Sequence, residues 1–256
     1  MILTATWNPR GEAQRLIRLL PRLQQVYAQI VVVIPPEAVI GGEASRQALL
    51  LQHYPGLDIQ QCPEWAAGRY VALQRAVELS ADAIHYADLD RLLRWVETHE
   101  DEWRAIACRI PGVDCLVIGR TPRAYATHPQ AIVATEAISN QVVSRFLGSP
   151  MDVSAGSKGF RRQAADCILA NTRPQRALGT DAEWPLVLLK AGFRVEYTEA
   201  DGLDWESADQ YQEVAAAASD QRRAAEAYDA DPKHWDYRVK VAMEIVDAAF
   251  KVMNAE

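Results

Sequence analysis

Short runs of β-branched and aromatic residues alternate with segments of helical period from residue 2 to about residue 200, and this alternation limits the fold more than any other feature. The first run, ILTATW (2–7), reads as a strand that stops at Asn8-Pro9, because proline restricts the residue before it and opens a new element. Leu16, Leu19, Leu20 and Leu23 then recur at helical spacing within 12–27, and QIVVVI (29–34) reads as a buried strand closed by Pro35-Pro36. The pattern continues with a helix near 43–53, a strand at 57–62, a helix at 68–81 and a strand at AIHYAD (83–88). Strands separated by helices of this length run mostly parallel, since right-handed crossovers lay the helices on both faces of the sheet.

The same reading gives a helix over 90–106, a strand at 115–119, a helix within 129–147, a strand through 151–160, helices over 161–170 and 180–191, and a strand at 193–198. From Ser207 the sequence is helical, rich in Ala, Glu and Arg, with a break at Asp231-Pro232. The expected class is α/β: three layers, α/β/α, around a mostly parallel central sheet with a helical C-terminal extension. No internal repeat or low-complexity linker divides the 256 residues, so one domain spanning 1–256 is expected, α/β domains commonly reaching roughly 250 residues.

Several classes fall away. A formal charge of −7 without a long Lys/Arg run argues against nucleic acid as a partner. The longest apolar stretch, Ile30 to Pro36, is far below the roughly 20 residues that span a bilayer, and no basic segment with an apolar run behind it opens the sequence; cytoplasm is the expected location. Cys62, Cys108, Cys115 and Cys167 show neither a C-x-x-C pair nor zinc spacing and read as small buried residues. The GSKG at 156–159 lacks P-loop spacing, and no G-x-G-x-x-G follows the first strand.

The chemistry concentrates in HYADLDRLLRWVE (85–97). In an extended segment Asp88 and Asp90 point the same way while Leu89 turns into the core, so two carboxylates converge at the carboxyl end of a strand. Open α/β sheets bind ligands there, and such oxygen donors suit Mg²⁺ or Mn²⁺ completed by water and substrate phosphates. Asp90 also reads as a helix cap, and capping alone explains one of the two.

Matched stretches in order make the chain resemble the nucleotide-diphospho-sugar transferases, glycosyltransferases of the GT-A fold, especially the bacterial family 2 group. ILTATWNPRGEAQRLIRLL resembles the first strand and its turn; GRYVALQRAVELSADAIHYADLD resembles a basic helix, strand and DxD motif; VSAGSKGFRR and GTDAEWPLVLLKAGFRVEYT resemble the donor-sugar and acceptor segments. The resemblance implies a nucleotide-binding half at about 1–120, an acceptor half at 121–206 and C-terminal helices at 207–256. It implies that Thr6, Trp7 and Asn8 hold the nucleotide, that Arg69 faces the nucleotide or its phosphates, that Asp88 and Asp90 hold ribose and metal, and that Gly156 and Arg161 lie near the donor. Asp181 or Glu183 would be the general base of an inverting enzyme, with the start of a helix as the plain alternative. Asp204, Glu206 and His234 fall where a further ligand is often brought in, although loop surface residues explain them equally.

The implied function is a Mn²⁺- or Mg²⁺-dependent glycosyltransferase that moves a sugar from a nucleotide-diphosphate sugar to an acceptor the sequence does not specify, with a homodimer through the C-terminal helices as a further expectation. A non-catalytic nucleotide-sugar-binding module is the alternative. A haloacid-dehalogenase phosphatase ranks lower, because its D-x-D lies on the first strand and Arg91 stands where a small residue is expected.

Overall fold

The computed structural model describes residues 1–37, 41–173 and 178–255. Seven strands form one sheet: β1 (Ile2–Thr6), β2 (Gln29–Ile34), β3 (Leu57–Gln61), β4 (Ala83–Asp88), β5 (Cys115–Arg120), β6 (Ser157–Arg161) and β7 (Val195–Ala200), in the order β3-β2-β1-β4-β6-β5-β7. Every pairing is parallel except those of β6, which runs antiparallel to both β4 and β5. Helices cover both faces, as the alternation requires. One face carries α1 (Ala13–Gln24), α4 (Leu89–Thr98) and α5 (Glu100–Ala107), and the other carries α3 (Gly68–Glu78), α8 (Arg162–Asn171), α9 (Thr180–Lys190) and α11 (Pro232–Asn254). The remaining helices are α2 (Gly42–Leu50), α6 (Pro122–Tyr125), α7 (Gln130–Leu147) and α10 (Ala218–Asp229).

Two sequence expectations change. The helix expected over 90–106 is two, because His99 adopts φ −140° and ψ 53° and ends α4 before α5 begins. The strand expected through 151–160 is a 3₁₀ turn at Val153–Ala155 followed by β6, since Gly156 takes φ +72° and turns the chain. Of the four cysteines, Cys62 and Cys115 are buried, Cys167 is half-buried and Cys108 is exposed at the end of α5. Among the described residues no helix is long and apolar enough to cross a membrane.

Beneath α4 and α5 the core holds a polar chain. The Trp103 indole donates to the Tyr27 hydroxyl at 3.0 Å, that hydroxyl lies 2.6 Å from His85 Nδ1, and His85 Nε2 lies 2.9 Å from Ser157 Oγ. Because the Tyr27 oxygen accepts from Trp103, its own proton goes to Nδ1, which leaves Nε2–H to donate to Ser157. The relay links α5, β4 and β6 through a fully buried imidazole. Burial pushes the His85 pKa down to about 3, so the folded protein keeps it neutral while an unfolded chain protonates it below about 6.5. Stability therefore falls as pH drops from about 6.5 toward 3, by about 1.4 kcal/mol per pH unit from this one group. Denaturant titrations across that range should show a shallower slope for His85→Gln than for the native chain; parallel slopes would mean that His85 is not the titrating group.

Candidate active site

The sheet reverses its strand order between β1 and β4, and at such a switch point the helices leaving two adjacent parallel strands diverge and open a crevice at their carboxyl ends. Thr6 and Asp88 are paired in register as the last residues of these strands. Above them lies a cleft of about 800 Å³, lined by Asn8, Arg69, Asp88, Asp90, Arg91 and Glu206, with α11 as its far wall.

Asp88 is fixed from three directions. Its Oδ1 accepts from the Tyr86 hydroxyl at 2.7 Å and the Thr6 hydroxyl at 3.2 Å, and Arg69 Nη2 reaches Oδ1 at 3.3 Å and Oδ2 at 3.2 Å. Its backbone N–H donates to the Gly156 carbonyl at 3.0 Å. Gly156 must be glycine on two counts: its φ of +72° is left-handed, and a Cβ there would collide with the Asp88 carboxylate.

Arg69 is buried and faces a second carboxylate with its other nitrogen. Nη1 donates to Asp181 Oδ1 at 2.9 Å and to the Thr180 hydroxyl at 3.2 Å, while Lys158 Nζ reaches the same Asp181 oxygen at 2.7 Å. Burial alone would raise the Asp181 carboxyl, but the Arg69 and Lys158 charges outweigh it and hold it below the usual carboxylate range. The N-terminus of α9 is thereby clamped to α3, β4 and β6 through one ion cluster.

Asp90 differs. In the first turn of α4 it accepts from the Arg91 backbone at 2.9 Å and is half-buried. Burial, then the Glu206 and Asp88 charges, push its carboxyl up to about 7, and nearby Arg91 offsets only part of this. Arg91 itself is spent on Glu206 at 3.0 Å and on the Ala155 carbonyl at 2.7 Å. Among the described residues no three His, Cys, Asp or Glu side chains are arranged to hold a metal ion. The fit is instead to a hard cation taken by few protein oxygens, because Asp90 lies in excess negative charge and Mg²⁺ or Mn²⁺ usually completes its shell with phosphates and water.

The other sequence-derived residues fall in several places. Trp7 is buried, donates to Glu12 at 3.3 Å and borders a smaller cavity beside Tyr211. Arg161 pairs with Asp114 and lies opposite Ala83 at the far end of the sheet, since β6 runs antiparallel and carries its carboxyl end away from the cleft. Glu183 faces a separate cavity with Val187 and Lys251. Asp204 is buried against Arg123 at 2.8 Å and is not a loop surface residue, whereas His234 stacks on Tyr228 at 3.9 Å.

Sequence reasoning passed over Lys158, Glu136 and the α11 wall. The signal for Lys158 was a cation inside a buried strand between two small residues, a placement that demands a counter-charge. Glu136 joins the lining from α7, and Arg120 pairs with both Glu136 and Asp152. A second cleft, about 820 Å³, opens beside Arg120 and Tyr125 and contains none of the sequence-derived site residues.

No family model matches the chain, and no curated protein matches it. Two solved structures of glucosyl-3-phosphoglycerate synthase from Mycobacterium tuberculosis do. The one with Mn²⁺, uridine diphosphate and phosphoglyceric acid aligns over 100% of this chain and 79% of its own, with TM-score 0.56 and 8% identity. The one with uridine diphosphate aligns over 100% of this chain and 81% of its own, with TM-score 0.54 and 9% identity. The fold is thus the GT-A-like α/β architecture of nucleotide-diphospho-sugar transferases.

Removing Asp181 leaves two buried cations without their shared partner. Asp181→Ala is expected to cost about 3 to 5 kcal/mol in urea unfolding, the range for breaking a buried ion pair. A loss under about 1 kcal/mol would mean that the clamp does not hold α9 in place.

Proposed function

We propose that this protein is a metal-dependent glycosyltransferase that uses a nucleotide-diphosphate sugar as donor. The observation that carries the proposal is the juxtaposition, at the switch point of a GT-A-like sheet, of an immobilised Arg69–Asp88 pair with the electrostatically unsatisfied Asp90. The GT-A-like neighbours solved with uridine diphosphate, one of them with Mn²⁺ as well, support the same class of donor.

In this reading Thr6 and Asn8 flank the nucleoside, and Asp88, held by Arg69 and Tyr86, presents a fixed acceptor to the ribose. Asp90 is the principal ligand for Mg²⁺ or Mn²⁺, with Asp88 beside it and Glu206 near enough to contribute. A bound cation would neutralise the leaving diphosphate as the sugar departs. Asp181 is assigned to positioning: a carboxylate kept ionised by Arg69 and Lys158 is a weak proton acceptor, and its work is to hold Arg69. With Glu183 on another cavity, the arrangement favours leaving-group stabilisation over proton abstraction by either α9 carboxylate.

Calorimetry with a panel of nucleoside diphosphates tests the site. Mn²⁺ should strengthen binding of the preferred diphosphate at least about tenfold, worth about 1.4 kcal/mol, and Asp90→Asn should abolish that gain with the fold intact. Equal affinity with and without Mn²⁺ in the native chain would contradict the proposal. Diphosphate release from nucleotide sugars then separates a transferase from a binding module, and hydrolysis of simple phosphomonoesters that is lost in Asp88→Asn would favour a phosphatase instead.

A further inference from the structure

Helix α11 buries one face, Val241, Ala242, Ile245, Ala248 and Ala249, against its own domain. A second apolar stripe faces solvent: Val239, Met243, Val246 and Phe250, at spacings of four, three and four residues. Met243 is 60% exposed and Val239 and Phe250 are each 47% exposed, while Val246 is half-buried. Phe250 meets Phe146 of α7 edge to face at 5.2 Å, and α7 itself exposes Ile138 by 61%. At 100° per residue these four α11 side chains lie within one narrow sector, and a 4-3-4 spacing is the seam of a paired helix.

We infer that this stripe is a homodimer interface in which α11 packs antiparallel against α11 of a second copy. The charges beside the seam specify the occupant. With Met243 set against Val246 and Val239 against Phe250 across a two-fold axis, Lys240 of each copy falls beside Asp247 of the other, so one register satisfies the apolar layers and both ion pairs. Asp236 and Lys251 complete an alternating pattern along the helix. An anionic membrane would select Lys and Arg along this edge, and the mixed signs, with a net charge of −7, do not provide that. Lys240, Met243 and Asp247 also border the candidate active-site cleft, so the second copy's helix would stand at its mouth.

Sedimentation equilibrium of the full chain should give a mass twice the 28.5 kDa of one chain. Lys240→Asp and Asp247→Lys should each weaken the dimer by about tenfold or more by placing like charges together, and the double variant should restore it, which a general loss of structure would not do. Circular dichroism of the dissociated variants should match the native chain. A chain that stays monomeric at every concentration overturns the inference, as does a dimer indifferent to both swaps or a monomer that binds anionic vesicles.

Discussion

The site is organised by one buried guanidinium. Arg69 bridges Asp88 at the end of β4 and Asp181 at the start of α9, and Lys158 from β6 closes the cluster on the Asp181 side. A cation so enclosed survives only if each partner stays in place, so the three elements share one geometry. Asp88 consequently presents a fixed carboxylate at the switch point, and Gly156 is held against it by both a backbone hydrogen bond and steric necessity.

The two aspartates of the DLD do different work because their surroundings differ. Asp88 has Arg69, Tyr86 and Thr6 as partners, whereas Asp90 faces Glu206 and Asp88 with Arg91 already engaged. One carboxylate is structurally committed, and the other retains capacity for a ligand. That asymmetry separates a cation-binding role at Asp90 from simple capping of α4, where its only printed partner is the neighbouring backbone N–H.

Much of the fold was legible because buried parallel strands are short apolar runs with sharp ends: 29–34 and 83–88 coincide with β2 and β4. Strand direction is not written in periodicity, so the antiparallel course of β6 was invisible, and with it the placement of Arg161 away from the cleft. The DLD and Arg69 were legible from spacing and resemblance. Their pairing was not, because Arg69 and Asp181 are separated by more than a hundred residues and only the closed sheet brings them together. The α11 wall carried no local signature either, since its lining residues are ordinary members of an amphipathic helix.

The central claim is that a divalent cation enters this cleft at Asp90 and holds a nucleoside diphosphate beside the Arg69 clamp. Anomalous diffraction from crystals grown with Mn²⁺ and the preferred nucleoside diphosphate tests it most directly. The account predicts one manganese peak within coordination distance of an Asp90 oxygen, about 2.2 Å, with diphosphate oxygens completing its shell. Diphosphate density in the cleft without manganese at Asp90, or manganese bound elsewhere with the cleft empty, would contradict it.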